Sequence, residues 1–147
     1  MLKSIIGIVV GYVAMFAVAF AAYTGAYLAL GAERVFEPGT YAYSGMWTGL
    51  VIVITLIAGF IGGLTCAAIS KSGTTGLVLA VIVFVLSLAF ELPHIMKDRT
   101  PVARTGDVSN LEVMEKGQPP AWLGLLIPVL GGAAVLMGAR MKKSPAV

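Results

Sequence analysis

Four long runs without a single charged side chain constrain this chain more than any other feature. They extend from Ser4 to Ala32, from about Ser44 to Ser70, from Thr74 to Phe90 and from about Ala121 to Ala139. A helix needs about 20 apolar residues to cross the hydrocarbon core of a bilayer at 1.5 Å per residue. Each run is close to that length or beyond it. They are continuous rather than alternating, which excludes a transmembrane barrel. A water-soluble domain is excluded by quantity: 59% of the residues are apolar and 12% are charged. Soluble chains hold about 45–50% and about 25%, and a small domain has too little interior to hide the excess.

The expected fold class is therefore an all-α membrane protein, a four-transmembrane-helix bundle. One domain covers residues 1–147, with spans drawn at 4–32, 44–70, 74–92 and 121–139 and an outer loop at 93–120. The first span exceeds the bilayer and should tilt or project from it. Lys3 ahead of an apolar run resembles a signal peptide, but apolar character continues to Ala32, far past a usual h-region. A retained helix is expected. Pro38-Gly39 and Lys71-Ser72-Gly73 mark turns. In the outer loop, Ser109-Asn110-Leu111-Glu112 matches a capping box, with a short helix expected from Asn110 to Lys116.

Charge position sets orientation. Lys3, Lys71, Arg140, Lys142 and Lys143 share one side with no acid, giving +5. All seven acids lie on the other side with five bases, giving −2, and the two sides sum to the net +3. Bases close to helix ends favour the cytoplasmic side, so both termini are expected there. Trp47 and Trp122 each open a helix on the opposite side, as an aromatic belt would place them.

The two halves share a faint pattern. Trp47-Thr48-Gly49-Leu50 opens the second span and Trp122-Leu123-Gly124-Leu125 the fourth. Gly62-Gly63 and Gly131-Gly132 follow, each pair then at one spacing from a base, Lys71 or Arg140. The tryptophan-to-glycine stretches differ by six residues. The layout is thus open to being two tandem helical hairpins, as in parallel transporter repeats, or to shared helix-interface chemistry without duplication.

Small residues run in stripes. Ser4, Gly7, Gly11, Ala14, Ala21 or Ala22, Gly25 and Ala29 follow helical spacing on the first span. Gly59 and Gly63 form a small-xxx-small pair on the second, and Gly131 and Gly132 a pair on the fourth. Lipid gives helices no hydrophobic drive to associate, so close backbone approach must supply it. The third span is built of large apolar residues from Leu77 to Leu86 and should face lipid over most of its circumference, with Gly76, Ala80, Ser87 and Glu91 on its inward line. Pro128, inside the fourth, should kink it.

Glu91, His94 and Asp98 are the candidate polar or ion site. On a continued helix they would share one face, although Pro93 would interrupt it. With one histidine in the chain and Lys97 and Arg99 beside the acids, no metal site is expected. No cofactor fingerprint is present, and the basic C-terminal cluster is too small for nucleic acid. Cys66, alone in an apolar run, serves packing.

Gly62-Gly63 with Ala67-Ala68-Ile69 closing the second span, and Pro120-Ala121-Trp122 opening the fourth, give the chain a layout that resembles a group of small four-helix bacterial inner-membrane proteins without an agreed activity. The resemblance implies a bacterial cytoplasmic membrane and supplies no site residues. Three roles remain, in descending order. The first is a structural or accessory subunit contacting lipid and other membrane subunits or itself. The second is a small-solute or ion transporter or channel working as a homodimer. The third is a lipid- or quinone-directed enzyme using Glu91 and His94.

Overall fold

The computed structural model describes residues 1–97, 103, 112 and 116–141. Its helices are α1 (Leu2–Leu30), α2 (Ala32–Val35), α3 (Gly45–Ser70), α4 (Gly73–Met96) and α5 (Ala121–Met141). All but α2 are long and apolar enough to cross a membrane. Among the described residues extended pairing is limited to isolated bridges. The protein is an all-α, four-helix membrane bundle. Of the expected capping box only Glu112 is among the described residues, and most of the short helix after it lies outside them.

Helix ends follow local chemistry. α1 stops at Gly31, whose φ of 73° and ψ of 164° suit a residue without a Cβ. This ends the helix at Leu30, two residues short of the charge-free run. Ser44 starts α3: its hydroxyl accepts from the Trp47 N–H at 3.2 Å and donates to the Arg34 carbonyl at 2.6 Å. The turn into α4 is made by Lys71, in the left-handed region at φ 53°. Helix α4 continues through Pro93 to Met96. The proline comes one turn from the end, so few bonds remain to be lost after it.

Helix α1 packs mainly on α3, α3 on α5, and α5 on α4. Helices α3 and α4 touch only lightly despite their tight turn, as do α1 and α4. The bundle is thus two pairs, α1/α3 and α4/α5, joined through α3 and α5.

That central crossing is made by glycine. A Cβ on Gly63 would collide with the Val135 carbonyl, and one on Gly138 with the Phe60 carbonyl. Gly59 would meet the Ala134 Cβ at 2.9 Å. Residues 63 and 138, 60 and 135, and 59 and 134 are each 75 positions apart, as are Trp47 and Trp122. The contacts of α3 with α5 therefore exchange under a shift of 75 residues. The register differs from a match of Gly62-Gly63 to Gly131-Gly132, and it removes the six-residue discrepancy. The flanking helices do not follow it. α1 docks through Gly7 and Gly11 against Cys66 and Gly62, whereas α4 docks through Gly76 against Ala139 and through Ala80 near Gly132.

Helix α4 is mostly exposed, as expected, but it is not the barest helix. Helix α4 does present Leu77, Val78, Val81, Val85 and Leu86 outward, yet it buries Leu79 and Val83. Helix α1 is the barer one, burying only Gly7, Gly11 and Tyr27. It has one principal neighbour, which side-chain size along a run does not reveal. Its small-residue stripe leaves the interface toward the C-terminal half: Ala21, Gly25 and Ala29 are exposed, and a Cβ on Gly25 would meet nothing within 4 Å.

Two cores result. Cys66, Leu79, Ala80, Val83 and Val135 fill the end near the Lys71 turn, here the turn end. Tyr27, Val35, Phe36, Tyr41, Trp47, Val51 and Leu123 fill the opposite, loop end.

Candidate functional site

Between these cores and the surface, α1 and α4 part. At the turn end, Gly11 lets Leu79 of α4 approach α1, its Cβ position lying 3.0 Å from Leu79 Cδ2. Toward the loop end, Phe16, Ala19, Phe20 and Tyr23 of α1 and Ser87, Phe90 and Glu91 of α4 line a cavity of about 440 Å³. α1 and α4 form its walls, and α3 and α5 its floor. Phe16, Phe20 and Phe90, all exposed, stand at the rim. Trp47, Val51, Leu123, Gly124 and Ile127 line the depth.

Its polar groups come from four elements. Tyr23 on α1 holds its hydroxyl 3.3 Å from Thr55 Oγ1 and 3.4 Å from the Val51 carbonyl, while Thr55 donates to that carbonyl at 2.8 Å. Tyr43 enters from the loop before α3. Burial raises its pKa from 10.0 to about 12, with the negative fields of Tyr23 and Glu91 adding to the effect and the Trp47 side chain offsetting part of it. The Trp47 indole Nε1 is itself buried without a partner at full hydrogen-bond geometry. The Trp47 ring lies 6.1 Å from that of Tyr23 and 6.4 Å from that of Tyr43, the latter nearly perpendicular. Ser87 and Glu91 face in from α4.

Glu91 is half-buried, and its Oε2 lies against Gly124 of α5, 3.1 Å from where a Cβ would stand. The missing side chain at Gly124 is what admits the carboxylate. Among the described residues Glu91 makes no hydrogen bond or ion pair. His94, one turn further along α4, is exposed and does not line the cavity. Asp98 lies outside the described residues. Among the described residues no three metal-ligating side chains converge.

The packing glycines divide. A Cβ would find backbone within about 3 Å at Gly7 and Gly11, and at Gly59 and Gly63 as well, whereas at Gly131 it would meet the Val83 side chain only at 3.5 Å and at Gly132 the Ala80 carbonyl at 3.4 Å. The tight position on α5 is Gly138, which sequence reasoning passed over. It also passed over the aromatic line Phe16, Phe20, Tyr23 and Tyr27, whose i, i+4, i+7, i+11 spacing marks one helix face. Trp47 and Trp122 are not equivalent. The first is 3% exposed and belongs to the core, while the second is 54% exposed, as a belt residue would be.

Comparison with protein-family models, with curated proteins and with solved structures finds no match for the chain. Fold and cavity together define a small polytopic membrane protein whose apolar helices contact lipid.

Proposed function

We propose that this protein binds an amphiphilic molecule taken from the lipid phase. The observation that carries the reading is the cavity between α1 and α4, rimmed by exposed phenylalanines and holding one carboxylate in a mostly apolar and aromatic lining. Its volume falls within the range of about 300–1,000 Å³ usual for small-molecule sites. A fatty chain can enter sideways past Phe20 and Phe90 while its polar end stays near the interface at the loop end. Ala19, small and on the α1 wall, gives the test. Native mass measurement of protein extracted gently from membranes should find a bound amphiphile, and Ala19→Trp should remove it. Protein that carries no amphiphile, or carries it equally in Ala19→Trp, would rule the reading out.

The acid-free side, with Lys3, Lys71 and Arg140, supports a bacterial cytoplasmic membrane with both termini inside. From sequence alone the accessory-subunit role ranks first; the cavity favours amphiphile binding ahead of it. The exposed strip of Ala21, Gly25 and Ala29 still favours a helix–helix contact with another subunit or a second copy as the runner-up. A transporter is less favoured, because Cys66, Leu79, Val83 and Val135 close the turn end with packed apolar side chains. For an enzyme, the exposed His94 stands away from Glu91's cavity.

A further inference from the structure

Apolar volume alone would accept any lipid tail, so selectivity must come from the polar end of the cavity. Four observations bear on it. Glu91 is the one charged residue among those lining the cavity. Its carboxylate is half-buried against Gly124 and, among the described residues, has neither a hydrogen bond nor an ion pair. A carboxylate withdrawn from water gains most from a cation or a strong donor. Tyr23, Tyr43 and Trp47 line the same cavity, with their rings angled to one another by 52° and 88° at the tryptophan. Aromatic rings set at angles around an acid are the surroundings that an organic cation prefers, because ring quadrupoles and the carboxylate both attract it.

The alternatives fit less well. An anionic head group would be repelled by Glu91. A bare divalent ion would need several oxygen ligands, and no cluster of three ligating side chains occurs among the described residues. A neutral alcohol could donate to the carboxylate but would bring no positive charge of its own to it.

We propose that the cavity selects amphiphiles with a cationic, ammonium-type head group, seated between the Glu91 carboxylate and the rings of Tyr23, Tyr43 and Trp47. This rests on the amphiphile-binding reading above and names the ligand class for it. The ammonium can belong to a membrane lipid or to a free hydrophobic amine; the chemistry at Glu91 is the same.

The test uses the full chain in maltoside micelles with Trp122→Phe, so that Trp47 reports alone. Three probes with the same chain are titrated at submicellar concentration: dodecyltrimethylammonium, dodecanol and laurate. The cation should bind roughly tenfold or more tightly than the alcohol, a ratio typical of one desolvated charge contact, and laurate most weakly. Glu91→Gln should collapse the ratio of cation to alcohol toward one. Glu91→Asp, which keeps the charge, should retain a preference and guards against a folding defect in the first variant. Equal affinity for cation and alcohol, both lost in Ala19→Phe, which fills the cavity without adding a second tryptophan, would overturn the head-group proposal while leaving the amphiphile site standing. If none of the probes binds, both fall. Competition then separates the sources. Displacement of the probe by phosphatidylethanolamine but not by diacylglycerol assigns a lipid head group, and displacement by neither assigns a free amine.

Discussion

Tyr43 shows how one residue ties the loop to the cavity. It sits just ahead of α3, packs edge-on against Trp47 and contacts Phe36. Burial is the main cause that holds its phenol neutral to about pH 12. In the unfolded chain the same group ionises near its ordinary value of 10.0. Between those values the unfolded state has lost a proton that the folded state keeps, so stability falls as pH rises from about 10 to about 12. Its full extent is at most about 3 kcal/mol. Tyr43→Phe should flatten that part of the alkaline stability profile, read as the difference in thermal midpoint between variant and parent across pH 9 to 12. Parallel profiles would show that the hydroxyl is already wet. Glu91 was legible in the sequence at this scale, because it is the first charge after a long apolar run. The company it keeps was not. Spacing along α4 suggested His94, whose field does reach the carboxylate, but not Gly124, against which Glu91 lies and which is 33 residues away in the chain.

At the scale of elements, glycine decides which helices meet. The crossing of α3 and α5 is pinned by Gly63 and Gly138, each of which would drive a Cβ into the backbone of the other helix. Backbone cannot rotate away as a side chain can, so the helices must separate and lose contact along their length. Gly63→Ala and Gly138→Ala should each destabilise the protein by about 1–3 kcal/mol, the usual cost of overpacking. The double variant should cost less than the sum, since one separation relieves both clashes. Gly25→Ala is the control: open space surrounds it, and alanine favours a helix over glycine by up to about 1 kcal/mol. Thermal unfolding in detergent should rank Gly25→Ala at or above the parent and the other two well below it. A Gly138→Ala midpoint equal to the parent's would mean the two helices are not in contact there. Gly25→Leu adds a check on the subunit reading: a co-purifying partner seated on α1 should be lost, and its retention would place the contact elsewhere. The small-residue pattern was visible in the sequence, but its use was not. A glycine stripe marks where close approach is possible, and only the neighbour's position shows where it happens. Gly131 and Gly132 looked paired, yet a Cβ on either would sit at ordinary contact distance, whereas the isolated Gly138 has no room for one.

For the whole molecule, the number of spanning helices could be read from the chain because lipid leaves so few solutions. Every backbone polar group must be satisfied within a helix, so four charge-free runs become four spans. The cavity could not be read, since it lies between α1 and α4, and no local pattern encodes how helices distant in sequence stand to one another. The same geometry makes orientation measurable. Leu2 opens the long α1 and Glu37 lies beyond its other end, both exposed, while Cys66 is fully buried and should stay silent toward thiol reagents. Single-cysteine variants Leu2→Cys and Glu37→Cys, in a Cys66→Ser background, can therefore report the two sides separately. With both termini cytoplasmic, a membrane-impermeant maleimide should label Glu37→Cys in intact spheroplasts and Leu2→Cys only after permeabilisation. The reverse pattern would invert the proposed orientation and keep the four spans. Labelling of both positions from outside would remove α1 as a spanning helix. The cavity would then lose its lipid-facing wall, because Phe16, Phe20 and Tyr23 all lie on α1. Orientation and ligand entry are coupled through that one helix: with Glu37 outside, Glu91 and its aromatic neighbours face the outer leaflet, and any amphiphile the protein takes must come from there.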